Sequence, residues 1–174
     1  MRKVLFSEPT FSVLICYRLQ FSKKMFTIEK ITAAATYPIR HAVLRKGEAF
    51  EKCIYPGDDS DLHSHFGLFE GKELVGVVSI YQTKNALFAD DKQFQIRGMA
   101  VLDAHQKKGY GAALLQHAES YLKREEQYTI WFNARIIALD FYKKMGFIQI
   151  GEPYEIDTIG IHYTMYKKEL DVAV

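Results

Sequence analysis

Gln106-Lys107-Lys108-Gly109-Tyr110-Gly111-Ala112 stands between two segments of opposite character. Ahead of it, residues 94–101 alternate at Phe94, Ile96 and Gly98, which predicts a strand. Gly98 inside that strand predicts a bulge or a close backbone approach. Behind it, Leu114, Leu115, Ala118, Tyr121 and Leu122 fall at helical spacing, predicting a helix that runs to about Glu126. A glycine-bearing strand-to-helix junction is an anion site on physical grounds. The first N–H groups of a helix have no partner within it, and its dipole is positive there. Gly109 and Gly111 let the backbone close on a phosphate with no side chain in the way, and Lys107 and Lys108 add charge. This is not a Walker A loop, because no Gly-Lys-Ser/Thr follows. It is not a dinucleotide fingerprint either, because Leu114 stands where the third glycine of Gly-x-Gly-x-x-Gly would be. The plainer reading of the same glycines is a turn that caps a helix.

Working outward, residues 27–31 read as a first strand and 33–44 as a helix, with Pro38 either breaking its middle or starting it. Residues 55–60 are loop chemistry. Residues 63–69 and 74–81 make a hairpin around Glu70-Gly71-Lys72, and 82–92 is a polar loop. Residues 128–132 read as a strand and 134–145 as a helix ended by Gly146. Residues 147–150 and 161–166 close the chain as strands, with a polar loop carrying Glu152, Glu155 and Asp157 between them. Strands mixed with helices in this order argue a single α/β (mixed α+β) layer fold.

The chain has 174 residues, enough for one ordinary domain, and its 12 Phe, 11 Tyr and 1 Trp supply ample core. The net charge of +2 is unevenly spread. Residues 1–24 hold five basic residues against Glu8 alone, so residues 25–174 are left at −2. A slightly acidic body gives no support for broad nucleic-acid binding. Cys16 and Cys53 share no metal-ligand spacing. They rule out a disulfide framework, leave a single bridge open, and make a reducing cytoplasm the default location. No apolar run is long enough for a transmembrane helix, so no membrane partner is expected. Met1-Arg2-Lys3 followed by Val4-Leu5-Phe6 starts like a secretory signal, but Glu8 and Pro9 interrupt it and no cleavage site follows. Residues 1–24 are therefore expected to be an extension outside a domain at 25–174, removable without loss of fold or activity.

A second motif follows the first. Asn133-Ala134-Arg135 stands at a strand end, then Ala138, then Phe141-Tyr142-Lys143-Lys144-Met145-Gly146-Phe147. With Arg97-Gly98-Met99-Ala100-Val101 and Gly109-Tyr110-Gly111 ahead of it, the chain over about residues 26–168 resembles the GNAT acetyltransferase superfamily. Gln106 fits the start of that family's first motif, and Lys107-Lys108 replaces its common Arg-Gly pair.

The resemblance implies a mixed, mostly antiparallel sheet with splayed parallel strands and flanking helices. It implies acetyl-CoA as co-substrate, lying between the parted strands 94–101 and 128–132, and no metal. Backbone groups of Met99, Ala100 and Val101 would pair with pantetheine amides. Gln106, Lys107, Lys108, Gly109, Tyr110, Gly111 and Ala112 would take the pyrophosphate, and Asn133 would hold the cofactor arm. Tyr142 would donate a proton to the leaving thiolate, a role that suits a phenol protonated at pH 7. The reaction would be direct attack of a primary amine, on a small molecule or a peptide, on the thioester. Paired subunits are common in the family, so a homodimer is open.

Other readings stand beside these. Tyr142 also reads as a core tyrosine beside Phe141, and Asn133 as a turn or helix N-cap. Arg97, Lys107 and Lys108 also read as solvated charges. Glu155 and His162 are candidate acceptor-binding residues near the last strands, although His162 also reads as a satisfied strand histidine. His63 and His65 at i, i+2 lack a third ligand, so a metal site is rejected. Cys53 has no base beside it to make it a nucleophile. Arg40 and Arg45 leave an anionic acceptor open. The rival function is an acyl-CoA sensor or interaction module of the same fold without turnover.

Overall fold

β3, Glu73–Gln82, carries an unbroken buried run from Val75 to Tyr81. A strand that is apolar on both faces must be covered on both, and helices cover it here. Val77 packs with Ile39 and Ala100 beneath α1, Ala33–Leu44. Val75, Val78 and Ile80 pack on the other face in one core with Leu114, Leu115, Ala118 and Leu122 of α2, Tyr110–Leu122. The three leucines turn α2 onto the sheet, each burial contributing about 1.5–3 kcal/mol. The computed structural model describes residues 26–125, 127–156 and 159–169. The expected extension 1–24 lies outside the described residues, as does Asp157.

Seven strands form one sheet in the order β1-β2-β3-β4-β5-β7-β6. β1 is Phe26–Ile31, β2 His63–Glu70, β4 Lys92–Val101, β5 Tyr128–Arg135, β6 Ile148–Ile156 and β7 Gly160–Glu169. All neighbours are antiparallel except β4 and β5. The mixed α/β architecture is the one expected from the sequence. The hairpin β2–β3 turns through Gly71 at φ 65°, a left-handed value that glycine adopts without strain.

Several boundaries differ from the sequence reading. α1 is not among them: it spans Ala33–Leu44 as read, and the alternative start at Pro38 does not hold, because the Thr32 hydroxyl accepts the Ala35 N–H at 3.3 Å and caps the helix there. α2 ends at Leu122, short of Glu126. The helix expected over 134–145 is only α3, Leu139–Lys144, because β5 stays paired with β7 through Arg135 and a short 3-10 turn follows at Ile136–Ala138. Gly146 does end it: at φ 85° its N–H reaches Lys143 O and the Phe147 N–H reaches Tyr142 O at 3.1 Å, a Schellman pair. The polar loop expected after Ile150 is strand. β6 resumes pairing at Tyr154 after a bulge around Gly151, so Glu152 and Glu155 lie on an edge strand, where Pro153 needs no ladder partner.

Candidate active site

β4 and β5 pair only where Lys92–Gln95 face Tyr128–Trp131. Beyond Gln95 and Trp131 they part. The cause is on β4. Between Arg97, opposite Ser79, and Ala100, opposite Val77, β4 holds one residue more than β3. Gly98 sits in that bulge at φ 58°. A Cβ there would stand 2.6 Å from Arg40 Nε and 3.0 Å from Tyr55 Cε2. Gly98→Ala is therefore expected to lower stability by about 1–3 kcal/mol, through left-handed strain and this clash, read as a fall in the thermal midpoint. An unchanged midpoint would show that the bulge tolerates a side chain.

The parted strands open a cleft of about 700 Å³, the size of an ordinary small-molecule site. Met99 and Arg97 wall it from β4, Phe132 and Asn133 from β5, and Tyr142 from α3. Leu44, Arg45 and Tyr55 wall it from the α1 side, and Ile156, Ile159 and His162 from the β6–β7 hairpin. Asn133 is exposed inside β5 and caps no helix, since Ala138 stands at the N-cap of α3 without a side-chain bond. Tyr142 is packed as a core tyrosine and also borders the cleft. Its ring packs 4.3 Å from the Phe132 ring and 5.0 Å from that of Phe141, while it also lines the cleft. Burial pushes its phenol up to about 12, so it is protonated at neutral pH.

From Val101 the chain passes through a 3-10 turn at Asp103–His105 to the start of α2. Gln106 lines the cleft, and its side-chain amide donates to Val101 O at 3.0 Å and to Asp103 Oδ1 at 3.1 Å, which sets the course of the loop. Lys107 has φ 59° and Gly109 φ 85°, and a Cβ on Gly109 would meet nothing within 4 Å. No side chain caps α2, and its first internal bond is Ala113 N–H to Gly109 O at 3.0 Å. The amides of Gly111 and Ala112 thus have no helical partners, with open space beside Gly109 and the Phe141 ring 3.7 Å from where a Cβ on Gly111 would stand. This cradle fits a phosphate.

The other candidates fall at varying distance from that chemistry. Ala100 is buried under α1. The Tyr110 side chain is buried in the core, its ring 5.4 Å from that of Phe26. Lys108 is drawn aside, with Nζ 3.6 Å from Glu70 Oε2 and 3.4 Å from His105 Nδ1. Glu155 is exposed on β6 and does not line the cleft. His162 does line it, with Nδ1 2.8 Å from Gly160 O.

A buried polar network beneath the cleft was not legible from the sequence. Arg40, fully buried, donates from Nη1 to both Asp58 oxygens at 3.0 and 2.8 Å and to Cys53 O, and from Nη2 to Ser79 Oγ at 2.8 Å. Tyr81 and the Tyr55 N–H also donate to Asp58. Burial alone would raise the Asp58 pKa, but these donors outweigh it and hold the carboxyl below the usual range. His65 donates from Nε2 to Asp58 O at 2.8 Å and accepts at Nδ1 from Ser79. Burial keeps it neutral by pushing its pKa down. The network fixes Tyr55 and the loop around it against the sheet, and so fixes one wall of the cleft. The only sequence signal was two polar types, His65 and Ser79, within residues read as the hairpin strands, while Asp58 fell in the loop 55–60.

Comparison with known proteins agrees with this geometry. The Acetyltransferase (GNAT) family matches residues 27–147. An uncharacterized N-acetyltransferase of Bacillus subtilis (strain 168), YitI, is 33% identical over 143 residues, covering 82% of this chain and 96% of that one. Among solved structures, the ribosomal-protein-S18-alanine N-acetyltransferase from Escherichia coli superposes with a TM-score of 0.68 at 18% identity, covering 86% of this chain and 97% of that one. An aminoglycoside 6'-N-acetyltransferase complexed with coenzyme A gives 0.63 at 12% identity, covering 82% and 96%. With parted parallel strands, an uncapped glycine start to α2 and a family match across both, the chain belongs to the GNAT acetyltransferase family and is an acyltransferase.

Proposed function

We propose that the protein transfers the acetyl group of acetyl-CoA to a primary amine by direct attack of the amine nitrogen on the thioester carbonyl. The observation that carries this reading is the cleft itself: one opening joins the parted strands, the Tyr142 wall and the approach to the α2 cradle. The neighbour solved with coenzyme A supports the choice of co-substrate. Pantetheine amides would find backbone partners along the unpaired edge of β4 near Met99, and the pyrophosphate the amides that open α2. Asn133 would hold the arm from β5. In the reaction a C–N bond forms, the C–S bond breaks, and the Tyr142 Oη proton passes to the departing thiolate. The amine, having shed its extra proton to solvent before attack, loses a second as the amide forms, and that proton, passed through solvent, restores the Tyr142 phenol. A cytoplasmic site of action fits the sparse cysteine use.

Calorimetric titration of the full chain with CoA tests the reading, followed by thiol release from acetyl-CoA across amines, polyamines, aminoglycosides and peptides. Micromolar binding with amine-dependent thiol release is expected. No binding at millimolar CoA would defeat it.

A further inference from the structure

The side of the cleft that faces α1 carries three guanidinium groups. Arg45, at the end of α1, donates Nη1 to Leu44 O at 3.1 Å. Arg135, at the end of β5, donates Nη2 to the same oxygen at 3.0 Å. One carbonyl therefore holds two like charges side by side. Arg97 of β4 lies with its guanidinium carbon 4.4 Å from the centre of the Tyr55 ring and 5.6 Å from that of Tyr81. All three arginines are half-buried and line the cleft.

Among the described residues, none of the three has a carboxylate within ion-pair distance. Asp58 is taken by Arg40 and Glu48 by Lys52 at 2.8 Å, although Glu48 stands near enough to Arg45 and Arg135 for their charges to help hold its carboxyl below the usual range. Asp103, the one described carboxylate in the cleft wall, accepts from Gln106 at the α2 end. Like charges held together raise the energy of the empty site. A half-buried cleft screens them less than open surface does and focuses their field on whatever enters. Guanidinium forks match the paired oxygens of a carboxylate or phosphate. The cofactor's phosphates are not needed to answer this charge: Arg45 and Arg135 meet at Leu44 on the α1 side of the sheet, whereas α2, whose start forms the cradle, packs on the opposite face.

We infer that the acceptor amine carries an anionic group, a carboxylate or a phosphate, seated on Arg97, Arg45 and Arg135. This rests on the acetyltransferase reading above and names its substrate class. Polycationic amines are repelled by the same three charges.

The test uses the full chain with saturating acetyl-CoA and amines in matched pairs. L-amino acids against their amides report a carboxylate, O-phosphoethanolamine against ethanolamine a phosphate, and spermidine a polycation. The anionic member of at least one pair is expected to have a kcat/KM roughly tenfold above its neutral partner, the size of one charge-assisted hydrogen bond. Arg97→Gln and Arg45→Gln are expected to raise its KM about tenfold, with the neutral member's KM and the CoA Kd little changed. Arg97→Lys should recover part of the loss. Preference for the neutral member or for spermidine overturns the inference. So does loss of CoA affinity in place of acceptor affinity, or an equal effect on both members of a pair. Were CoA to bind with no amine acetylated, the transfer reading would fail on its own. The anion site would then be judged by calorimetry of the CoA-loaded protein with N-acetyl amino acids against their amides, where equal affinity overturns it.

Discussion

Tyr142→Phe is expected to lower kcat roughly a hundredfold or more, the range of a positioned general acid, and to leave the Kd for CoA unchanged. The packing argument makes this substitution a clean one. Phenylalanine keeps the ring contacts to Phe132, Phe141 and Phe147, which hold the side chain in place. It keeps the backbone too, since the Tyr142 carbonyl belongs to the Schellman pair that ends α3. Only the hydroxyl goes. Steady-state rates with calorimetry separate the two quantities, and a loss confined to kcat marks an interaction made in the transition state. With the phenol pushed up to about 12 by burial, any alkaline limb set by Tyr142 lies above that of an ordinary tyrosine, near pH 10. Turnover equal to that of the parent protein would remove Tyr142 as the acid.

Asp58→Ala is expected to cost about 3–5 kcal/mol of stability, because it leaves a fully buried guanidinium without its counter-charge. Urea unfolding of the purified variant measures it, and a loss under about 1 kcal/mol would show that water or another acceptor replaces the carboxylate. Arg40→Met with Asp58→Leu, which removes both charges, should recover much of the loss. The same site sets a pH dependence. Asp58 is held below the usual carboxylate range and His65 below the usual imidazole range. In each case the unfolded chain binds the proton more readily. Stability is then complete above about pH 6.5 and falls on acidification, first through His65 and then through Asp58.

How far the sequence foretold the molecule depends on the range of the interaction that decides each part. Gly98 in an alternating run predicted a bulge, and β4 has one, because glycine's freedom is a local property. Gly146 predicted a helix end for the same reason. Residues 134–145 misled because pairing with β7 holds Ala134 and Arg135 in β5, and a 3-10 turn at Ile136–Ala138 follows before the helix starts. β6 was cut short at Ile150 because Gly151 and Pro153 are turn signals, yet an edge strand accommodates both at a bulge. Of the site, Met99, Gln106, Asn133, Tyr142 and His162 line one cleft, while Glu155 falls outside it. Arg40 and Asp58 lie 18 residues apart, and nothing in either neighbourhood announces the other.

The short parallel seam between Lys92–Gln95 and Tyr128–Trp131 makes the sheet two antiparallel plates joined along one narrow strip. Each plate is stiff within itself, and torsion between them concentrates at that strip. A linear polyamide laid in the gap would act as an eighth strand in part, bridging edges that the chain leaves unbridged. Mechanical rigidity would then be a shared property of chain and small molecule. Were acetyl-CoA to fill the gap, the catalytic frame would be finished by what it consumes and would relax each time the spent thiol departed.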